Sequence, residues 1–201
     1  MKLILTLFIS IFLVNVLTVF GQNVQYAEYR IYDASDSSCS NNPLWIDGML
    51  SGTESHAIML TCSADGITVD VTTWEGTQTI PTGLCMVFNS QNANFACASS
   101  PTVLKNSLAL YQYDGCDPTI GQVATYQLAS VNQCATSLIY PTVTTYLTCT
   151  PENSVEYFFD TTLPSNSTDQ FCPGGLTDKN VQYWTNGECV NGSAQVFECN
   201  N

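Results

Sequence analysis

The residues of this 201-residue chain that could do chemistry are ten cysteines, three tryptophans and a scatter of carboxylates around one histidine, His56. A Ser-His-Asp triad would have to use His56, which ends the polar stretch Ser51-Gly52-Thr53-Glu54-Ser55-His56, and no G-x-S-x-G elbow accompanies it. A lone histidine in such a turn is ordinarily a solvated surface group. Glycoside hydrolysis needs only two carboxylates, and Glu152 with Glu156 or Asp65 with Asp70 are close in sequence. Both pairs flank turn-to-strand transitions, where acids face water. Asp70 alternates with Val69 and Val71 and should point outward. No catalytic residue is assigned, and a glycan-cleaving hydrolase is kept as the alternative reading.

Trp45, Trp74 and Trp184 are the ligand-binding candidates, because an indole face can stack on a sugar ring. Trp184 lies in Gln182-Tyr183-Trp184-Thr185-Asn186-Gly187, which ends in a turn, and Trp74 is close to Gly76. Tryptophans near turns are more exposed than those at strand centres, which favours binding. The competing reading is that each covers a small β core from its edge.

The cysteines point to oxidation rather than to metal. No two fall within a C-x₂₋₄-C interval and there is a single histidine, so a zinc site lacks its ligands, and no cofactor is implied. Their even number suits five disulfides: Cys39, Cys62, Cys85, Cys97, Cys116, Cys134, Cys149, Cys172, Cys189 and Cys199 are all read as bridged. The N-terminus agrees with that redox state. Lys2 precedes a predominantly apolar run from Leu3 to Phe20, and Val19-Phe20-Gly21 offers a cleavage site before Gln22. A signal peptide over residues 1–21 and secretion to the extracellular space are therefore expected, with no later stretch apolar enough to span a bilayer. The sequons Asn166-Ser167-Thr168 and Asn191-Gly192-Ser193 are candidate glycosylation sites.

Charge narrows the partners. After cleavage Arg30, Lys105 and Lys179 stand against 17 acidic residues. That field repels phosphate backbones, so nucleic acid and anionic membranes are poor partners, whereas calcium, cationic proteins and neutral glycans stay open.

The elements that must carry these residues are strands. Four times an apolar residue, a spacer and a cysteine recur: Leu60-Thr61-Cys62, Phe95-Ala96-Cys97, Leu147-Thr148-Cys149 and Phe197-Glu198-Cys199. In an extended strand residues two apart share a face, so each phrase sends a large side chain and a sulfur inward together. Each closes a unit that opens with an apolar or aromatic strand: Tyr29-Arg30-Ile31-Tyr32, Ile67-Thr68-Val69-Asp70-Val71, Leu108-Ala109-Leu110-Tyr111, and Val155-Glu156-Tyr157-Phe158-Phe159. The period of roughly 35 to 50 residues is typical of repeat architectures. Amphipathic helical patterning is missing, and one four-stranded key per unit fits the length.

An aromatic opening strand such as Leu110-Tyr111-Gln112-Tyr113, a Gly-containing hairpin and a shorter closing strand resemble the βγ-crystallin architecture over most of the mature chain. The cysteine-rich style is also similar to small secreted proteins of social amoebae and fungi. The resemblance implies paired Greek keys, but the calcium signature of that family is not matched. Asp33-Ala34-Ser35-Asp36-Ser37-Ser38 has its composition without its spacing. The expected fold is all-β: two disulfide-stapled Greek-key β-sandwich domains with four internal repeats. The first domain spans 22–98 and the second 107–201, joined by a linker over 99–106 that contains Ser99-Ser100-Pro101-Thr102. No disulfide should cross that linker.

Cysteine position within the units leaves two pairings open. A hairpin class holds Cys39, Cys116 and Cys172, a loop class Cys85, Cys134 and Cys189, and a terminal class Cys62, Cys97, Cys149 and Cys199. Local closure would give Cys39–Cys62, Cys85–Cys97, Cys134–Cys149 and Cys189–Cys199, with Cys116 joined to Cys172. The alternative for the second half is Cys116–Cys149, Cys172–Cys199 and Cys134–Cys189. The expected function is extracellular recognition or surface structure without catalysis, through a glycan, protein or calcium ligand. A defence-type toxin or inhibitor is a further rival.

Overall fold

The computed structural model describes residues 25–55, 57–136, 141–165, 170–184 and 188–200. The leader, His56 and the sequon residue Asn166 lie outside the described residues. The fold is all-β, with no helix among the described residues. The first half contains β1 (Tyr26–Tyr32), β2 (Trp45–Leu50), β3 (Thr53–Ser55), β4 (Ile58–Cys62), β5 (Thr68–Thr73), β6 (Gly76–Pro81), β7 (Met86–Phe88) and β8 (Gln91–Ala98). The second contains β9 (Ser107–Tyr113), β10 (Val123–Ser130), β11 (Cys134–Thr136), β12 (Val143–Cys149), β13 (Asn153–Asp160), β14 (Gly175–Tyr183), β15 (Glu188–Val190) and β16 (Ser193–Asn200).

Local chemistry sets the reversals. β7 meets β8 through Asn89 and Ser90, and β15 meets β16 through Asn191 and Gly192, with φ of 49°, 60°, 52° and 85°. Two successive left-handed residues make the tight turn whose twist matches a hairpin, and Asn and Gly tolerate that conformation best.

One eight-stranded sheet runs in the order β15-β16-β9-β10-β2-β1-β8-β7, and two four-stranded sheets run β3-β4-β5-β6 and β11-β12-β13-β14. Outward from its centre, the large sheet reads β2-β1-β8-β7 on one side and β10-β9-β16-β15 on the other. The repeating unit is therefore eight strands long and occurs twice; the four Greek keys expected from the sequence are not seen as separate units. Within each half the chain meanders, crosses to the small sheet after its second strand, returns before its seventh, and closes its eighth against its first. The halves join where β2 pairs with β10, with Asp47 opposite Gln127. Leu50 faces Tyr26 as Ser130 faces Ser107, which makes Asp47 and Gln127 equivalent positions on the seam.

All ten cysteines are paired, as Cys39–Cys85, Cys62–Cys97, Cys116–Cys189, Cys134–Cys172 and Cys149–Cys199, with Cα separations from 5.1 to 6.0 Å. Neither expected pairing is formed. Local closure fails because sequence neighbours lie in different layers: Cys62 ends β4 in a small sheet, and the bridge ties it to Cys97 of β8 in the large one. Hairpin-class cysteines join loop-class ones, and terminal ones join each other. Cys62–Cys97 and Cys149–Cys199 are the same bridge in the two halves, and Cys39–Cys85 matches Cys116–Cys189. No bridge crosses segment 99–106.

The first core lies between the large sheet and the β3–β6 sheet, where Ala27, Met49 and Phe95 pack against Leu60, Val69, Val71 and Ile80. The opposite face of the large sheet holds a second core of Tyr26, Ile46, Ala109, Tyr111, Tyr126 and Leu128, and Leu104 of the inter-half segment packs on it. A smaller core around Tyr157, Phe159 and Cys172 serves the β11–β14 sheet. Within the second core sits a fully buried carboxylate, Glu28. Arg30, whose side chain is 29% exposed, pairs with it at 2.5 Å through its guanidinium. The hydroxyls of Tyr126 and Thr102 both donate to its other oxygen. Burial first, and then the adjacent carboxylate, push the Tyr126 hydroxyl well above the ordinary phenol range, so it stays a donor. The Tyr126 ring lies over Gly48: a Cβ there would fall 2.2 Å from the ring, so only glycine leaves room for it.

Candidate functional site

The β5–β6 hairpin reverses through Trp74 and Glu75 before Gly76, whose φ of 133° no other residue adopts easily. Thr73 Oγ1 accepts from the Glu75 amide at 3.2 Å and steadies the tip. This turn sends Trp74 outward with 88% of its surface exposed. Beside it lies an open cleft of about 580 Å³, lined on the hairpin side by Thr73, Glu75, Thr77 and Gln78 and on the far side by Ile58, Phe88 and Asn89. The Thr72 and Thr77 hydroxyls are 2.9 Å apart and hold the hairpin strands in register. An exposed indole next to amide, hydroxyl and carboxylate groups offers a stacking surface with hydrogen-bonding partners. Ligand sites combine these two features in clefts of this size.

The other tryptophans are placed differently. Trp45 is half-buried at the start of β2, opposite Ile31 and Ala129. Trp184 stacks on Phe197 with ring centres 5.1 Å apart and planes 7° from parallel, and its Nε1 donates to the Pro151 carbonyl at 2.9 Å. One face and the polar tip of that indole are already used. Trp184→Ala is expected to lower the unfolding free energy by about 1–2 kcal/mol through the lost stack and hydrogen bond, read as a shift in denaturant midpoint. Asn191 is exposed at its hairpin tip and open to modification.

The carboxylate pairs suggested by sequence have separate surroundings. Asp65 accepts from Ser63 Oγ at 2.6 Å and from the Ile67 amide, which hold its carboxyl below the usual range. Asp70 accepts from Thr79 Oγ1 at 2.6 Å on the neighbouring strand. Glu152 is exposed in the β12–β13 turn, while Glu156 is half-buried, and burial raises its carboxyl. Among the described residues, no cluster of three or more His, Cys, Asp or Glu could hold a metal ion.

A second cavity, about 100 Å³, lies on the seam between the halves. Its apolar wall includes Tyr29, Met49, Leu60, Phe88 and Phe95, and its polar wall Asp47, Gln112, Thr125 and Gln127. The three rings form one cluster: Tyr29 stacks on Phe95 at 5.3 Å, and Phe88 meets both edge-on at 5.5 and 5.3 Å. Gln127 Nε2 donates to Asp47 Oδ1 at 2.9 Å, and Thr125 Oγ1 to Gln112 Oε1 at 2.9 Å. Burial, with the Asp47 charge behind it, pushes the Tyr29 hydroxyl up to about 12. This cavity was not foreseen from sequence. Its one signal was a charged residue, Asp47, in phase with the apolar Trp45 and Met49 on one face of Trp45-Ile46-Asp47-Gly48-Met49.

The fold and its clefts define a disulfide-stapled β-sandwich with an aromatic-lipped surface cleft. Comparison of the chain with known protein families, curated proteins and solved structures gives no match.

Proposed function

We propose that the mature protein is a non-enzymatic, secreted glycoprotein that recognises a neutral glycan through the Trp74 cleft. The observation that carries this reading is the indole standing 88% exposed beside polar side chains on a short, stapled hairpin. The indole does not stand alone: Ile58 and Phe88 line the same cleft with polar side chains, and concave sites that pair aromatic faces with a few polar groups are where ligands bind. Sugar rings match it, since their C–H faces stack on the indole while their hydroxyls meet Gln78, Thr77 and Asn89. The acidic surface favours an uncharged ligand over a sulfated or phosphorylated one. Five disulfides fit an oxidising compartment, in keeping with the signal peptide read at the N-terminus. Among the described residues, Glu75 is the one carboxylate that lines the Trp74 cleft and Asp47 the one that lines the seam cavity, whereas glycoside hydrolysis uses a pair, which supports binding over cleavage.

A glycan array probed with the disulfide-intact mature protein tests the proposal. Binding to one class of neutral glycan is expected, and Trp74→Ala should weaken it at least tenfold, about 1.4 kcal/mol. Because the ring is exposed, the same variant should keep its melting temperature within a few degrees of the parent. No binding on the array, or binding that survives Trp74→Ala undiminished, overturns the reading.

A further inference from the structure

We infer that the seam cavity, which adjoins the Trp74 cleft at Ile58 and Phe88, is a second site that takes a small organic cation: an ammonium group on a short alkyl body that fits a volume of about 100 Å³. The argument starts from charge. Asp47 is the carboxylate in the lining, and among the described residues no Lys or Arg lines the cavity beside it. Gln127 engages Oδ1, which leaves Oδ2 without a partner among the described residues. A half-buried carboxylate short of donors favours a cationic ligand that brings its own N–H groups. The opposite wall supplies the complementary surface. Tyr29, Phe88 and Phe95 form a contiguous aromatic cluster, and aromatic faces attract cations while holding an apolar body by burial. The raised Tyr29 hydroxyl remains protonated at neutral pH, so that ring adds no second anion.

The duplicated architecture provides an internal control. Tyr29 stands opposite Phe95 as Leu110 stands opposite Phe197, and Asp47 is the seam equivalent of Gln127. The second half thus replaces the phenol by an aliphatic side chain and the carboxylate by an amide, and it lays Trp184 flat on Phe197. The anionic aromatic niche belongs to the first half alone. Packing between equivalent sheets does not require it, since the second half makes the same strand pairing without it. The acidic surface of the whole molecule raises the local concentration of cations.

Calorimetric titration of the disulfide-intact mature protein with propylammonium, 1-propanol and propionate tests the charge requirement on one three-carbon skeleton small enough for the cavity. The ammonium compound is expected to bind, the alcohol at least tenfold more weakly, and the carboxylate more weakly still. Asp47→Asn should abolish the preference for ammonium over alcohol, and Trp74→Ala should leave it unchanged. If Asp47→Asn does not fold, methyl spectra of the parent decide: the Met49 methyl should shift on titration with propylammonium. Equal binding of ammonium and alcohol, failure of the ammonium compound to bind, discrimination retained in Asp47→Asn, or a Met49 methyl unmoved at saturation would overturn the inference.

Discussion

Arg30→Met is expected to destabilise the protein by about 3 kcal/mol, near the lower end of the range for breaking a buried ion pair. The reason lies with the partner it leaves behind. Glu28 is fully buried, and Arg30 donates to its Oε2 through Nε at 2.7 Å and through a terminal nitrogen at 2.5 Å. Without Arg30, Oε2 keeps a charge in a low-dielectric core with no donor, while Tyr126 and Thr102 still hold Oε1. The lower end applies because the Arg30 side chain is 29% exposed, so solvent already screens part of the interaction. The effect should reach across the molecule, since Tyr126 belongs to β10 of the second half and Thr102 to the segment joining the halves. Both halves should therefore unfold in one transition at a lower denaturant midpoint. Adding Glu28→Gln to Arg30→Met should recover at least half of the loss, because an amide accepts the same hydroxyl donors without a buried charge. A single variant as stable as the parent, or a double variant weaker than the single, would show that the carboxylate is not held as described.

The β character and the repetition were both legible, for a simple reason. Period-two patterning survives in some strands: β5 alternates half-buried Thr68 and Asp70 with buried Val69 and Val71, and β9 alternates buried Ser107, Ala109 and Tyr111 with half-buried Leu108 and Leu110. The length of the repeat was misjudged because the four apolar-x-Cys phrases are of two kinds. Leu60-Thr61-Cys62 and Leu147-Thr148-Cys149 match each other, as do Phe95-Ala96-Cys97 and Phe197-Glu198-Cys199. The order is Leu, Phe, Leu, Phe, which describes two long units rather than four short ones. Each Leu phrase ends a strand of a small sheet and each Phe phrase lies in the large one, so the identity of the apolar residue marked the layer.

The pairings and both clefts were harder to read, because they depend on which strands become neighbours across layers. Trp74 and Trp184 both sit beside turn residues in the sequence. Only tertiary packing distinguishes the one left in water from the one laid on Phe197, a residue of β16. Glu28 gave no sign either: in Tyr26-Ala27-Glu28-Tyr29-Arg30 a Glu and an Arg two apart read as a solvated face. They are covered because residues 99–106 return over that face, with Thr102 donating to Glu28 and Leu104 packing on the core beneath.

Peptide mapping of the non-reduced protein is expected to return the five bridges of the structure, and complete reduction should unfold it at room temperature. The bridged cysteines are 46, 35, 73, 38 and 50 residues apart. Loop closure grows only logarithmically with length, so each bridge restricts the unfolded chain by about 4 kcal/mol on the chain-entropy model despite the spread in separation. Five such terms exceed the roughly 5–15 kcal/mol by which domains are ordinarily stable, so the reduced chain should lose its near-ultraviolet circular dichroism without heating. Single bridges separate the entropic term from local structure. Cys62–Cys97 and Cys149–Cys199 are equivalent in the duplicated fold, and removing either as a Ser pair should cost about 4 kcal/mol if loop entropy dominates. Cys134–Cys172 has no counterpart in the first half, and Cys172 is buried in a small core with Tyr157 and Phe159 among the described residues. Its removal should therefore cost more than the loop length alone implies, because the small cluster of Tyr157 and Phe159 loses a packing partner along with the restraint. Equal losses at all three sites would assign the stabilisation to the unfolded chain alone. A reduced protein that still melts cooperatively above room temperature would show that the cores hold the fold without their staples.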